Sequence, residues 1–137
     1  MAESIKVAQY FKIEVPDKAG EAVKMLDAVK GAGVNLLAFS GFPRGKKAQL
    51  DFVPEDPARF KEVAKYNKWK VQGPKSCFVV KGDDRVGAVA DVLGRLVDAK
   101  INVTAAEAIS AGMGRFAVLI FVKPSAVKKA TAALGAS

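Results

Sequence analysis

Pro16-Asp17-Lys18-Ala19-Gly20 and Asp83-Asp84-Arg85-Val86-Gly87 are two copies of one turn, with Asp84 standing 67 positions after Asp17. The same change of pattern flanks both. Before the first copy, Tyr10 to Val15 alternates: Phe11, Ile13 and Val15 point one way, Tyr10, Lys12 and Glu14 the other. That is a half-buried strand. After it, Val23, Leu26 and Val29 fall on one stripe of a helix. Around the second copy, Phe78 and Val80 form the inner face of a strand, and Val86, Val89, Ala90, Leu93, Leu96 and Val97 line a helix. The offset persists downstream without a gap. Asn35, after Gly33-Val34, aligns with Asn102, after Lys100-Ile101, and Pro57 aligns with Pro124. The repeat is longer than a solenoid unit of about 20–50 residues and long enough for a βαββαβ unit.

The remaining elements fit that unit. Val34 to Phe39 reads as a second strand, Gly41 to Gly45 as a turn, and Ala48 to Val53 as a third strand. Asp56 can cap a helix that begins with Pro57, with Phe60, Val63 and Ala64 inward, and Trp69 to Val71 reads as a short fourth strand. In the second copy, Ile101 to Ile109 and Arg115 to Val122 are strands, and Ser125 starts a helix with Val127, Ala130 and Leu134 inward. The expected fold is α+β: a ferredoxin-like βαββαβ unit repeated twice in tandem, antiparallel sheets with helices on one face. The expected domains are 1–73 and 74–137. By the offset a final strand would begin near residue 136, so the second unit is short of one strand. Ser76–Lys81 is then expected to pair with Trp69–Val71 or with a partner chain, because an unpaired inner strand is an open template.

A unit of this size is marginal alone, so the halves are expected to pack on each other and on a second chain, and their seam is the first place to look for a ligand. Alternation puts Tyr10, Lys12, Glu14, Gln49 and Asp51 on the open face of the first unit and Cys77, Val79, Phe116, Val118 and Ile120 on that of the second. An apolar patch of that kind calls for a cover, most simply a homodimer mate.

Composition narrows the chemistry. The chain has 137 residues, no histidine and one cysteine, Cys77. Without histidine there is no Ser–His or Cys–His nucleophile pair, and a zinc site has no usable donor set; no metal or other cofactor is expected. Asp83-Asp84 are paired acids without a partner base, and neither Lys18 nor Lys81 sits in an arguable apolar pocket. No apolar run approaches the ~20 residues of a membrane span, no signal peptide is visible at Met1-Ala2-Glu3-Ser4, and a lone cysteine fits a reducing compartment, so the expected location is the cytoplasm. The net charge of +8 is spread evenly, with Arg44, Lys46 and Lys47 its densest spot; such a charge suits a solvated surface.

Chemistry concentrates in the repeated turn. A helix N-terminus carries unpaired N–H groups and partial positive charge, suited to a carboxylate, and glycine there admits a ligand close to the backbone. An aspartate can receive an ammonium or cap the helix, and an asparagine amide donates and accepts. Asp, helix N–H groups and Asn together complement a zwitterionic amino acid. The competing reading makes Asp17 and Asp84 N-caps and Asn35 and Asn102 plain turn residues.

The pattern Asp-Lys/Arg-x-Gly, an amphipathic helix, then Gly33-Val34-Asn35-Leu36 or Lys100-Ile101-Asn102-Val103 resembles the ACT domain over about residues 6–134, and the whole resembles stand-alone tandem ACT proteins. That resemblance implies a non-catalytic, allosteric regulatory module that binds a free amino acid at the interface between ACT units and serves an enzyme or regulator of amino-acid metabolism. It points to Asp17, Lys18, Ala19, Gly20, Asn35 and Leu36 in the first unit and to Asp84, Arg85, Val86, Gly87, Asn102 and Val103 in the second. Where the family usually has Arg-Pro-Gly, the proline position holds Ala19 and Val86. Two other readings compete. Gly114 to Phe121 is a near miss to the central-strand signature of an RNA-recognition motif, which wants an aromatic where Val118 stands. A pure interaction module would use the apolar patch itself.

Overall fold

Each turn interrupts a strand and starts a helix, as the change of period requires. The computed structural model describes residues 3–137. In chain order it has β1 (Ser4–Pro16), α1 (Glu21–Gly31), β2 (Leu36–Arg44), β3 (Lys47–Pro54), α2 (Pro57–Tyr66), β4 (Val71–Asp83), α3 (Ala88–Asp98), β5 (Val103–Gly112), β6 (Arg115–Val122), a 3-10 turn (Pro124–Ala126) and α4 (Val127–Leu134). The fold is α+β, with antiparallel pairing of β1 with β3, β2 with β3, β4 with β6 and β5 with β6.

Two compact units share the chain. The first is Gln9–Lys75; the second joins the segment ending at Ala8 to Ser76–Ser137. The strand order is β2-β3-β1-β4 in the first and β1-β4-β6-β5 in the second. The 13-residue strands β1 and β4 each serve one unit with their front half and the other with their back half. A boundary at 73/74 therefore assigns residues 4–8 to the wrong unit.

Those residues hold the fourth-strand place of the second unit, beside β4. Ile5 packs with Phe78, Val80, Val92 and Leu96 in the second core. The Ser137 N–H donates to the Ile5 carbonyl at 3.2 Å, and the Val7 N–H donates to the Ser137 carbonyl at 3.0 Å. Neither Trp69–Val71 nor another chain is needed as the fourth strand. The physical reason lies in the alternation: the inward series Phe11, Ile13, Val15 extends backwards through Val7 to Ile5. Trp69 lies outside the strands and packs on the first core.

The first core is aromatic. Phe11, Ile13, Val15, Leu50 and Phe52 meet Val29 of α1 and Phe60, Val63 and Ala64 of α2, with the Phe11 and Phe60 rings stacked at 4.8 Å. Asp56 caps α2 by accepting from the Arg59 N–H at 3.1 Å. On α1 the inward stripe is Ala22, Met25, Leu26 and Val29, while Val23 is exposed. On α3, Ala88, Val92 and Leu96 are buried, whereas Val86, which precedes the helix in the turn, and Val97 face solvent.

The second unit corrects one expectation about faces. Phe11 pairs with Phe52, but its counterpart Phe78 pairs with Ile120, one residue further along. The β5–β6 ladder shifts register between Ser110 and Gly112, and a bulge there holds the extra residue. A slip of one residue turns every side chain to the other face. Phe116, Val118 and Ile120 therefore point at the helices and join the core; they do not form an open apolar face. The positions on the other face are Cys77, Val79, Ala117, Leu119 and Phe121. The same slip buries Phe116, which removes it as a platform for stacked bases.

Candidate functional site

In the first unit the repeated turn is closed by its own backbone. The Lys18 N–H donates to the Pro16 carbonyl at 2.9 Å, and the Lys24 N–H donates to the Gly20 carbonyl at 3.0 Å. Gly20 is the N-cap of α1, at φ 90° and ψ −14°, with no side-chain cap. Asp17 is therefore not the N-cap. Glycine is required at this left-handed conformation, and a Cβ built on it would meet nothing within 4 Å. The loop stands over the ends of β2 and β3. Together they enclose a hollow of about 300 Å³, with Asp17, Lys18 and Glu21 on one wall and Phe39, Phe42 and Leu50 on the other. Among the described residues, neither the Asp17 carboxylate nor the Lys18 ammonium has a hydrogen bond or ion pair. Glu21 sits 3.6 Å from Lys24.

The second loop has the same backbone and different side-chain pairing. Gly87 caps α3 at φ 83°, again without a side chain, so Asp84 is not an N-cap either. The Asp84 N–H donates to the Gly114 carbonyl at 2.8 Å. The Ser110 hydroxyl, from the end of β5, donates to Asp84 Oδ2 at 2.9 Å. Arg85 forms an ion pair with Asp91, one turn into α3. The hollow here is about 230 Å³ and includes the Phe116 ring. That ring needs Gly82 beside it, since a Cβ on Gly82 would lie 2.7 Å from Phe116 Cε1.

No family model and no curated protein matches the sequence. Solved structures do match over nearly the whole chain. Protein BT0572 from Bacteroides thetaiotaomicron superposes with TM-score 0.81 at 21% identity, over 96% of this chain and 88% of that one. The aspartokinase alpha and beta subunits give 0.66 at 22%, over 98% and 95%. The ligand-free regulatory subunit of aspartate kinase from Thermus thermophilus gives 0.65 at 18%, over 98% and 93%. What the chain shares with these structures is the fold, over nearly its whole length.

Within the first unit the candidate residues fall into two groups. Asp17 and Lys18 line the loop hollow, next to Ala19 and the Gly20 cap. Asn35 lies at the other end of α1, about 16 Å away along 11 helical residues. It lines a separate hollow with Glu55, Asp56 and Arg59, its Nδ2 3.5 Å from Glu55 Oε2. Leu36 opens β2 opposite Pro54. In the second unit Asp84, Arg85 and Gly87 share a hollow while Val86 points into solvent. Asn102 is exposed just before β5, which Val103 opens opposite Val122. The unit thus does not bring its own asparagine to its own loop. Sequence reading missed Glu21, Phe39, Phe42 and Ser110 at the hollows. The signal for them was the strand register, which sets Pro43 against Ala48 and Ser110 against Phe116.

No helix among the described residues is long and apolar enough to cross a membrane, and no group of three or more His, Cys, Asp or Glu among them could hold a metal ion.

Proposed function

We propose that this chain is a non-catalytic regulatory module that binds a free amino acid at its strand–helix loop and transmits occupancy to an enzyme or regulator of amino-acid metabolism. One observation carries the reading: an open hollow beside the start of α1, lined by Asp17, Lys18 and Glu21 together with Phe39 and Phe42, in which Asp17 and Lys18 have no side-chain partner among the described residues. A ligand carboxylate can meet Lys18 and the helix N–H groups, its ammonium can meet Asp17, and its side chain can rest on Phe39 and Phe42. The likeness to regulatory subunits of aspartate kinase from Thermus thermophilus and Thermus flavus supports the regulatory class. The absence of histidine and the burial of Cys77 leave little for catalysis.

A thermal-shift screen of the full chain against the twenty amino acids tests the proposal. A ligand that binds only the native state, at a hundred times its Kd, adds about 2.7 kcal/mol, which is several degrees in melting temperature. If none of the twenty moves the transition at millimolar concentration, the reading fails.

A further inference from the structure

The two loops share a backbone, yet their polar handles are in different states, and two substitutions between the repeats explain why. Where the second unit has Ser110, the first has Pro43: the rows Pro43–Ala48–Val15 and Ser110–Phe116–Gly82 are equivalent in the two ladders. Proline has no hydroxyl to offer Asp17. Where α3 carries Asp91, α1 carries Lys24 at the same offset, and Lys24 turns to Glu21. Lys18 therefore has no acidic partner on its helix, while Arg85 has one.

Resting on the function proposed above, we infer that the chain takes its amino acid in the first unit alone, and that Ser110 and Asp91 occupy the second loop as built-in substitutes for the ligand. The Ser110 hydroxyl gives Asp84 the hydrogen bond that a ligand ammonium would give. The Asp91 carboxylate gives Arg85 the charge that a ligand carboxylate would give. The Phe116 ring takes up space on the same side, leaving about 230 Å³ against about 300 Å³ in the first unit. A ligand entering the second loop must first break two contacts, whereas in the first it meets an aspartate and a lysine that have no side-chain partner among the described residues.

Titration calorimetry of the full chain with whichever of the twenty amino acids raises the melting temperature tests this. The expected stoichiometry is one ligand per chain or fewer. Asp17→Asn should weaken binding about ten- to a hundredfold, the scale of one charged hydrogen bond, with no second site left behind. The double variant Ser110→Ala/Asp91→Lys should gain a second binding event. Two ligands on the wild-type chain, or an Asp17→Asn chain that still titrates at full affinity, overturns the inference. A double variant with an unaltered isotherm shows that Ser110 and Asp91 are not what closes the loop. No heat with any amino acid removes the functional reading, and this inference with it.

Discussion

Val15 and Ala48 in the first unit correspond to Gly82 and Phe116 in the second, so one row of the sheet holds the same bulk with the large and small residues exchanged. In the first unit the branched residue is on β1 and the small one on β3. That leaves the hairpin end open, and Phe39, Phe42 and Leu50 line the gap. In the second unit the ring is on β6, fits only against a glycine, and fills that end from inside. Equal packing is thus reached with unequal surfaces, and the difference falls where the loop opens. A duplicated fold can keep its core and alter one of its two hollows through a compensated pair.

That exchange can be broken directly. Phe116 is almost fully buried, so Phe116→Ala should destabilise by about 3–5 kcal/mol. Gly82→Val alone should cost about 1–3 kcal/mol by overpacking against the ring. The double variant rebuilds the first unit's pair, and its cost should fall short of the sum of the two by more than about 0.5 kcal/mol, as contacting residues do in a double-mutant cycle. Strict additivity in denaturant melts would show that the two positions do not share space.

A smaller effect tests which unit owns the chain's first strand. Ile5→Ala should cost about 2–4 kcal/mol, because Ile5 is buried among apolar neighbours. Hydrogen exchange should place the loss: the amides of Phe78 and Val80 should speed up, while those of Ile13 and Phe52 keep their protection. Equal acceleration in both sets would undo the assignment of this segment to the second unit.

The smallest effect concerns helix starts. Asp56 caps α2 just before Pro57, and Lys123 stands in the matching place before Pro124 without a side-chain cap. Asp56→Ala should cost about 1 kcal/mol, and Lys123→Asp should recover part of that amount in the other unit. A destabilising Lys123→Asp, read from the shift in melting temperature, would mean the 3-10 turn there does not tolerate the cap.

Much of this was legible in the chain itself. The repeated turn, its glycine, the change from alternation to helical period and the cap at Asp56 each rest on local physics, and the structure has them where the residues put them. Two features were hidden. The bulge between Ser110 and Gly112 adds one residue to a hairpin, and a gap-free offset passes over it; Phe116, Val118 and Ile120 consequently changed faces. The front of β1 was hidden for another reason: Ile5 and Val7 alternate with Ser4 and Lys6 over too few residues to declare a strand until a neighbour is known. The partners of the loop side chains were out of reach for the same cause, since Ser110 meets Asp84 only through the register.

The sharing of β1 and β4 bears on the order in which the chain can organise itself during synthesis. Gln9–Lys75 is continuous, so once Lys75 has left the ribosome every residue of that unit is available. The second unit must wait for β6 and α4, and then recover Ile5, which was made more than seventy residues before Phe78. Its closure is a long-range event and correspondingly slow. Until it happens, the segment ending at Ala8 stays joined to a unit whose residues are all available while its own unit is still being made.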